Sequence, residues 1–405
     1  MTGRSNKPLA VVYVVYWGLD EPLGRALVVP TVNRLARAGV RVTLVSFEKG
    51  SGPYNCALLA ETGVEWLPLR YHKRPPVISS MFDIGRGTVQ AIRAARRNQA
   101  CLVHGRTFVG GLIAFVVALA SRCRWIYHNE GFWPRERVAG GHWTATSLSF
   151  RVAQTLENYM HRSADAVVTL SSSAADAVRK LRGDDSVAVV PSAVDLDHFR
   201  PSEQRSSRRI EGTGLRLVYV GSLGGRYRLA DMCAFAARVR RLRPDTTLTI
   251  YSHTGSEEIQ QIAERAGVTG SFTLGRASYD SLPGILTGFD AGLHFIAPSS
   301  SSKGGSPTKI GEYWACGIPV VTTSCGDIDE AIRRHRVGVT VPNSDRATLD
   351  RAALELNDLL RDPDLGARCR SAAIERYSLD DAIETQLDLY RALCPSTALS
   401  TSTNP

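Results

Sequence analysis

A short polar stretch late in the chain carries residue types that suit an anionic, hydroxyl-bearing ligand. It runs from Lys303 through two glycines, a Ser-Pro-Thr step and Lys309 to Glu312. The chain has six lysines among its 49 Lys and Arg residues, and these two are the only lysines after Lys180. Lysine is a compact point charge on a flexible stem, whereas arginine is a planar fork. We interpret the stretch as a binding site for a ligand such as a nucleotide-sugar; the alternative is a solvated loop.

A helix start is predicted inside this stretch, at Ser306, Pro307 and Thr308. Proline is tolerated in a first helical turn, and the free N–H groups there can cap a phosphate. Lys309 would lie in that turn, against the helix dipole, and a bound anion would offset the penalty. Glu312 would lie on the same side of the helix, where its carboxylate can accept hydrogen bonds from a ribose diol. The alternative for Glu312 is an intrahelical ion pair with Lys309.

A second loop, the glycine-rich residues 221–225, follows a predicted strand and precedes a predicted helix. Glycines allow backbone N–H groups to approach a phosphate, and a helix N-terminus adds partial positive charge. Arg226 and Arg228 follow at once and can neutralise a pyrophosphate. The loop is not the dinucleotide pattern GxGxxG, so a plain strand-to-helix turn is the alternative.

Two strand ends in the first half of the chain also carry candidate residues. His128 ends one predicted strand, which is where a ligand-binding residue of a parallel sheet belongs; the alternative is a buried structural histidine. Glu130 and Arg135 follow in the same loop, and a salt bridge between them is the structural interpretation. His104 and Arg106 lie at another strand end, with the same two interpretations.

Alternating strands and helices must position these residues. We predict strands over residues 9–16, 40–47, 102–104, 125–128, 166–170, 187–191, 215–220, 247–251, 272–274, 291–296, 320–322 and 337–341. We predict helices over residues 26–38, 108–120, 229–239, 348–360 and 379–393, with a loop over 17–25. Alternating βα units imply parallel sheets with helices on both faces, so the predicted fold class is α/β with two doubly wound domains. The apolar residues 108–120 are too few to span a bilayer.

Composition excludes several classes of function. The chain has 405 residues, a net charge of +10 and 43% apolar residues, as in a globular protein of two or three domains. Its basic residues lack zinc-finger spacing, an RNP-like motif or a basic tail, which argues against nucleic-acid binding. Phosphorylated substrates or an anionic membrane surface fit the charge at least as well.

Cysteine and aspartate spacing argues against a metal site. The eight cysteines are scattered without a CxxC pair, so a reducing cytoplasm is the simplest compartment. The pairs Asp195/Asp197 and Asp362/Asp364 do not end an apolar strand as a metal–nucleotide site would require. We therefore expect neither a metal ion nor another cofactor.

Three motifs in order resemble those of the GT-B glycosyltransferases and, within them, the retaining glycosyltransferase family 4. They are Val189–Phe199, which contains Pro191 and Asp195, then Val218–Leu223, and then the stretch from Pro307 to Val321. The resemblance covers nearly the whole chain. It implies two Rossmann-like domains that face a cleft, a nucleotide-activated sugar as donor, and a sugar, lipid-linked or small-molecule acceptor.

Composition and the resemblance together assign the domains. The acceptor-side domain would occupy residues 1–201, a linker 202–214 and the donor-binding domain 215–376. A final helix, residues 377–394, would return to the first domain, and the Ser/Thr-rich residues 395–405 would form a disordered tail. The protein would be cytoplasmic, with contact at the inner face of the membrane as a further expectation.

The resemblance assigns site residues one by one. The expected catalytic residues are His128, near the donor sugar, Lys303 and Lys309. The donor phosphates are assigned to Arg226, Arg228, Thr308, Lys309 and Ile310, the ribose to Glu312, and the base to Tyr251, Arg276 and Ala277. The loop at the donor sugar and acceptor is assigned to Gly18, Gly304, Gly305 and Ser306.

Two departures from the family pattern bear on the activity. Gly304 stands where relatives commonly have a second glutamate, and Ser222 and Tyr227 replace the usual Arg and Lys pair. Lys303 and the neighbouring arginines are candidate substitutes. We expect a retaining, metal-independent transfer of a hexose-type sugar to an acceptor hydroxyl. The alternatives are a nucleotide-sugar-binding subunit without transfer activity, or an epimerase or hydrolase on the same scaffold.

Overall fold

The computed structural model describes residues 7–50, 57–201, 214–224, 226–252, 256–297, 302, 304–395 and 397–398. Residues 202–213 of the expected linker, Lys303, and the expected tail apart from residues 395, 397 and 398 lie outside the described residues.

The chain folds into two compact units. One consists of Met1–Val138, Trp143–Val190 and Leu379–Pro405, and the other of Ala139–His142 and Pro191–Ser378. The helix Leu379–Leu393 near the end of the chain is therefore part of the unit that begins the chain.

The first unit is built on a parallel sheet. Its strands are β2 (Ala10–Val14), β3 (Arg41–Glu48), β4 (Glu65–Arg70), β5 (Leu102–Arg106), β6 (Arg124–Asn129), β7 (Ala166–Thr169) and β8 (Val187–Val189), and a two-residue strand β1 (Lys7–Pro8) precedes them. The strand order is β4-β3-β2-β5-β6-β7-β8, so the order reverses at β2. The central strands β2 and β5 are buried along their whole length, as expected for a sheet that is covered on both faces.

The second unit repeats this plan with six parallel strands. They are β9 (Arg216–Val220), β10 (Thr247–Tyr251), β11 (Phe272–Gly275), β12 (Ala291–His294), β13 (Val320–Thr322) and β14 (Gly338–Thr340). Their order is β11-β10-β9-β12-β13-β14, so the order reverses at β9. A two-residue strand β15 (Thr397–Ala398) pairs in parallel with β1.

Helices connect the strands. In the first unit they are Val29–Arg37, Ala57–Ala60, Pro76–Arg97, Thr107–Ser121, Trp133–Ala139, Leu148–Ser163, Ser172–Arg182 and Leu379–Leu393, with a π-helical segment Gly24–Val28. In the second unit they are Leu229–Leu242, Ser256–Arg265, Leu282–Leu286, Thr308–Ala315, Ile328–His335, Arg346–Leu359 and Leu365–Tyr377, with a 3-10 turn Thr269–Ser271. Several begin at a capping side chain; Ser147, Ser171 and Asp345 each accept a hydrogen bond from a first-turn N–H group.

The crossovers distribute these helices over the two faces of the first sheet. Right-handed connections place the helix between β2 and β3, Val29–Arg37, on one face, where it contacts Leu379–Leu393. The helices after β4, β5 and β6 run in the other direction across the sheet and therefore lie on the opposite face. There Pro76–Arg97 packs beside Thr107–Ser121, which packs beside Leu148–Ser163.

The predicted α/β fold class with two doubly wound sheets is confirmed. Every predicted strand is present, within a few residues of its bounds. The strand β4 was not predicted, because it contains Pro68 and proline argues against a strand; β4 lies at the edge of the sheet, where proline is tolerated. Residues 17–25 were predicted to form a loop, whereas the π-helical segment begins at Gly24.

Candidate active site

The second unit brings its candidate residues together where the strand order reverses. Ligands of open α/β sheets bind at the carboxyl ends of the strands beside such a reversal, which here are β9 and β12. The loop after β9 is attached to the segment after β12, because the Arg228 N–H donates to the Phe295 carbonyl over 3.0 Å and the Ala297 N–H donates to the Arg226 carbonyl over 2.7 Å. The loop after β9 and the segment after β12 therefore lie side by side at the carboxyl edge of the sheet.

Lys309 is the centre of this edge. Its ammonium donates a hydrogen bond of 3.1 Å to the Tyr219 hydroxyl and lies 4.4 Å from the Tyr219 ring centre and 4.3 Å from that of Tyr227. Burial lowers the pKa of Lys309 below its usual range, although Tyr227 and Glu312 act in the opposite direction. The ammonium in turn lowers the pKa of the Tyr227 phenol. No carboxylate within the described part of the chain forms an ion pair with this cation, which suits it to an anionic ligand.

Gly221 leaves the space that the lysine occupies. A Cβ atom at this position would lie 2.8 Å from Lys309 Nζ, and the backbone φ of +136° is one that residues with a side chain rarely adopt. The positive φ is what requires the glycine, and its lack of a side chain leaves room for the lysine ammonium. This contact favours the binding-loop interpretation over a plain strand-to-helix turn.

The helix Thr308–Ala315 presents its N-terminus at the same edge. Its N-cap is Pro307, and no side chain caps the first turn. Its other end is fixed by Gly317, which has a φ of +75°, and by a hydrogen bond of 2.9 Å from the Ile318 N–H to the Tyr313 carbonyl. This end is a Schellman-type stop, and it turns the chain directly into β13. The run Cys-Gly-Ile-Pro thus fixes the length and direction of the helix that carries Lys309.

Glu312 is buried and has no ion partner. The residue is 7% exposed, and no hydrogen bond or ion pair to its carboxylate occurs among the described residues. The intrahelical ion pair with Lys309, the alternative raised from the sequence, does not form. Burial raises the pKa of the Glu312 carboxyl to about 7, with Lys309 acting in the opposite direction. The carboxylate is therefore available to hydroxyl donors.

The two candidate arginines have different environments. The Arg226 guanidinium lies 5.9 Å from the ring centre of Tyr227, and its charge contributes to lowering the pKa of Lys309. Arg228 instead forms an ion pair with Asp231, three residues along the chain. The structure therefore places Arg226, and not Arg228, in the cation cluster around Lys309.

The glycine-rich loop before the helix packs against its own neighbours. Gly304, Gly305 and Ser306 are buried, and the Ser306 hydroxyl accepts a hydrogen bond of 3.2 Å from the Ser192 N–H. A Cβ atom on Gly305 would lie 3.0 Å from the sulfur of Cys325. These three residues lie in the same segment as Lys309. The position of Lys303, the third expected catalytic residue, is outside the described residues.

The residues expected at the base lie along the next two strand ends. Tyr251 ends β10, and its carbonyl accepts a hydrogen bond of 2.9 Å from the Gly221 N–H. Arg276 and Ala277 follow β11, where Arg276 is exposed and no hydrogen bond to either backbone occurs among the described residues. The N–H and C=O groups of this backbone can form hydrogen bonds with the edge of a base.

His128 lies in the first unit at the end of a buried hydrogen-bonded chain. Its Nδ1 is 3.1 Å from Nε2 of His104, whose Nδ1 is 2.7 Å from the Tyr390 hydroxyl. Burial and the charge of Arg106 lower the pKa of His104 to about 3 and the pKa of His128 well below its usual range, so both rings are neutral. His128 Nε2 is buried with no partner in the described structure.

The direction in which these hydrogen bonds are donated follows from the hydroxyl of Tyr390, at which the series begins. Within the described residues the Tyr390 hydroxyl has no acceptor other than His104, so it donates to His104 Nδ1. The His104 Nε2–H then donates to His128 Nδ1, which leaves the proton of His128 on Nε2 as a free donor. His104 was a candidate from the sequence, but Tyr390 was not, because it lies 286 residues further on.

Arg106 corrects one sequence interpretation. It is paired in register with His128 in the sheet and forms a buried ion pair with Glu130, and its guanidinium donates to the Tyr13 hydroxyl over 3.3 Å. The salt bridge considered between Glu130 and Arg135 does not form, since Arg135 lies over the ring of Phe132. Arg106 already lies in the sheet beside Glu130, so it meets that carboxylate first.

The loop of Gly18 is held by a buried carboxylate. Glu48 accepts hydrogen bonds of 2.9 and 3.1 Å from the Leu19 N–H, and a Cβ atom on Gly18 would lie 2.8 Å from one of its oxygens. A Cβ atom on Gly24 would lie 2.1 Å from the Gly18 carbonyl oxygen. The loop lies at the carboxyl end of β2, where the strand order of the first sheet reverses.

Neither a metal cluster nor a spanning helix emerges from the described structure. No group of three or more His, Cys, Asp or Glu residues in this part of the chain converges to hold a metal ion. Asp195 and Asp362 instead accept hydrogen bonds from N–H groups two residues on. Of the described helices, none combines the length and apolar character needed to cross a bilayer.

Family comparison agrees with the two units. The family described as Glycosyltransferase Family 4 matches residues 27–198, and that described as Glycosyl transferases group 1 matches residues 214–358. The chain therefore carries a Glycosyltransferase Family 4 domain followed by a Glycosyl transferases group 1 domain. The recognition based on three motifs is thereby confirmed: Val189–Phe199 lies at the end of the first matched range and extends one residue beyond it, and the other two motifs fall within the second range.

Sequence relatives cover a part of the chain. A glycogen synthase of Mycobacterium tuberculosis is 28% identical over 248 residues, which is 60% of this chain and 57% of the relative. A 2-deoxystreptamine N-acetyl-D-glucosaminyltransferase of Streptomyces fradiae is 28% identical over 259 residues, which is 60% of this chain and 59% of the relative. The chain thus aligns with less than two thirds of the length of these relatives.

Solved structures share the fold over almost the whole chain. A sucrose-phosphate synthase from Thermosynechococcus elongatus has a TM-score of 0.72 at 14% identity, covering 96% of this chain and 99% of that one. The Anabaena protein Alr3699/HepE, in complex with UDP and glucose, has a TM-score of 0.70 at 14% identity, covering 95% and 100%. Likeness at this identity establishes the GT-B fold.

Proposed function

We propose that this protein transfers a hexose-type sugar from a nucleotide-sugar to an acceptor hydroxyl, with retention of configuration at the anomeric carbon. One observation carries the proposal: the Lys309 ammonium lies between two tyrosine rings beside Gly221 and an uncapped helix N-terminus, with no carboxylate partner among the described residues. A desolvated cation of this kind binds a diphosphate far more strongly than a solvated one.

Lys309 and Arg226 would stabilise the departing nucleoside diphosphate. Charge develops on the leaving phosphate as the sugar bond breaks, and preorganised cations and N–H groups lower the energy of that state. The N–H groups of Thr308, Lys309 and Ile310 would cap the same phosphate. No step of the proposal uses a metal ion, because these groups supply the charge.

Glu312 and the strand ends after β10 and β11 would orient the nucleoside. The Glu312 carboxylate would accept hydrogen bonds from the two ribose hydroxyls. These hydroxyls would supply the hydrogen-bond partners that the carboxylate lacks among the described residues. The backbone around Tyr251, Arg276 and Ala277 would contact the base. The Anabaena neighbour was solved with UDP and glucose, and this supports a uridine-based donor.

Retention would follow from attack on the face that the diphosphate leaves. The diphosphate itself can accept the proton of the incoming hydroxyl, so no protein nucleophile is required. His128, as a neutral Nε2–H donor, would bind a sugar or phosphate oxygen. Gly18 in the first unit, and Gly304, Gly305 and Ser306 in the second, are the further residues that we assign to the donor sugar and the acceptor.

The acceptor and the compartment are part of the same proposal. Relatives are named glycogen synthase, 2-deoxystreptamine N-acetyl-D-glucosaminyltransferase and D-inositol 3-phosphate glycosyltransferase, so a polysaccharide or glycolipid intermediate and a small metabolite both fit as acceptor. None of the seven described cysteines is in a disulfide, which fits the reducing cytoplasm, where we place the reaction.

The proposal is tested by donor binding and turnover. Calorimetry with UDP, GDP, TDP and ADP, each with and without EDTA, should give metal-independent binding of one nucleotide. Lys309→Ala should then lower kcat/KM with the matching sugar donor by about 100-fold or more, with unchanged unfolding. Arg228→Ala is the matched control, because that arginine is already paired. Full activity of Lys309→Ala, or no binding of any nucleotide, would refute the proposal.

A second candidate is favoured by Gly304. The commonly present acidic side chain is missing here, and a protein that binds the donor without transferring it would have this appearance. Incubation with donor alone also tests epimerase or hydrolase activity. Binding without any product from donor, alone or with an acceptor panel, would support the binding subunit; an isomerised or hydrolysed donor would support the third class.

A further inference from the structure

The excess positive charge of this protein is concentrated in one stretch of the first unit. Residues 66–129 contain ten Lys and Arg residues and a single acid, Asp83, in a chain whose net charge is +10. Asp83 is buried and paired with His72, so it does not offset the charge at the surface. Such segregation produces a strong local field.

Most of these cations are exposed and unpaired. Within the described chain, six have no ion partner: Arg70, Lys73, Arg74, Arg86, Arg93 and Arg122. Unpaired surface cations on one side of a domain attract a polyanion, and the attraction weakens with salt.

Large apolar side chains lie among these cations. In the first turns of the helix Pro76–Arg97, Ile78 is 69% exposed, Met81 68% and Phe82 59%. Single exposed apolar residues are ordinary, but three within five positions on one helix form a patch. The preceding residues, Lys73 and Arg74, place two exposed cations directly beside it.

The two helices packed alongside continue the patch. Thr107–Ser121 exposes Leu119, at 67%, and contains no acidic residue. The helix Leu148–Ser163 exposes a stripe at helical spacing, formed by Leu148, Val152, Leu156 and Tyr159. Its one acid, Glu157, is buried, and the Tyr159 ring contacts Phe115 of the middle helix.

We define the outward surface of these three helices as the apolar–basic face. All three helices follow strands that lead the same way across the sheet, so they lie on one side of it. Their exposed residues are apolar, basic or uncharged polar, and none is acidic.

We infer that the apolar–basic face docks this protein on an anionic lipid bilayer. Apolar side chains at this density would enter the boundary between headgroups and acyl chains, while the arginines and Lys73 would contact lipid phosphates. A second copy is a poor occupant, because symmetric association would oppose like charges. Nucleic acid is a poor occupant as well, since most of the exposed apolar side chains are aliphatic and the basic residues lack the motifs of nucleic-acid-binding proteins. The inference is independent of the transfer reaction proposed above.

Sedimentation of the full-length protein with lipid vesicles tests the inference. We expect the protein to sediment with vesicles of phosphatidylcholine and phosphatidylglycerol, to remain in solution with pure phosphatidylcholine, and to be released by salt. Neutralising two cations, as in Arg86→Gln/Arg93→Gln, should weaken the partition coefficient about 25-fold. Ile78→Ser/Met81→Ser should weaken it about 100-fold or more.

Matched changes on the other unit are the controls. Arg241→Gln/Arg351→Gln and Leu242→Ser/Leu354→Ser remove exposed residues of the same kinds and should leave vesicle binding unchanged. The inference is overturned if the wild type ignores the anionic vesicles, or if test and control variants lose binding equally. It is also overturned if the wild type self-associates without lipid and Ile78→Ser/Met81→Ser abolishes that association, because a second copy then covers the face.

Discussion

Replacement of Glu312 by glutamine should stabilise the ligand-free protein and weaken its binding site. Burial raises the pKa of this carboxyl from 4.5 to about 7. At 1.36 kcal/mol per pKa unit, ionising Glu312 in the folded protein costs about 3 kcal/mol more than in the unfolded chain. Glutamine has the same shape and never ionises, so Glu312→Gln removes this cost.

The effect has a defined dependence on pH. Between about pH 4.5 and pH 7 the folded state retains a proton that the unfolded state has lost, so the free energy of unfolding of the wild type falls as the pH rises. Glu312→Gln should match the wild type near pH 4.5 and exceed it by about 3 kcal/mol above pH 7. Urea unfolding measures this difference, and the 19F signal of fluorotryptophan at Trp314 reports it locally, because Trp314 is the only tryptophan after residue 143.

A matched variant serves as the control for Glu312→Gln. Glu355→Gln changes an exposed carboxyl in the same unit and should leave the pH dependence unchanged. Glu312→Gln should also weaken nucleotide binding, since the ribose loses a charged acceptor worth about 1.5–3 kcal/mol. A variant that is less stable than the wild type at pH 8, or a stability difference that does not vary with pH, would refute the reasoning.

Three further substitutions test single contacts. Gly221→Ala would force its methyl group against Lys309 and should lower kcat/KM about tenfold or more in steady-state assays. Unaltered kinetics would show that the packing of this loop does not affect the function of the lysine. Gly311→Ala places a Cβ atom 2.6 Å from the Tyr377 ring and should lower the free energy of unfolding by about 1–3 kcal/mol in urea titrations. Tyr390→Phe removes the hydroxyl that fixes the histidine tautomers; 15N shifts of the two rings should change from single to mixed tautomers, and unchanged shifts would refute the assigned direction.

Local sequence pattern was sufficient for the repeating elements and for the helix that carries the site. Buried parallel strands are continuous apolar runs, so β2, β9 and β13 could be read directly. The helix Thr308–Ala315 was predicted from Pro307 at its start and from the function expected of its first turn. Its stop at Gly317 depends equally on local residues, because a positive φ is a local requirement.

Contacts between distant segments were beyond local pattern. Tyr219 lies within hydrogen-bonding distance of Lys309, although the two residues are 90 positions apart in the sequence. The residues that flank each of them do not specify the other as its partner. The same is true of Arg106, which takes Glu130 as its partner through the register of β5 and β6. Register and strand order decide such pairs, and both are properties of the whole sheet.

The crossing of the last helix into the first unit has a consequence for synthesis. A ribosome releases the chain from its N-terminus, so β2 through β8 emerge long before the helix Leu379–Leu393 that packs on Val29–Arg37. Until that helix arrives, His104 lacks the Tyr390 hydroxyl and the helix Val29–Arg37 lacks its packing partner. The part of the protein that is made first is therefore completed last, and the nascent chain must protect an unfinished surface throughout the translation of the second unit.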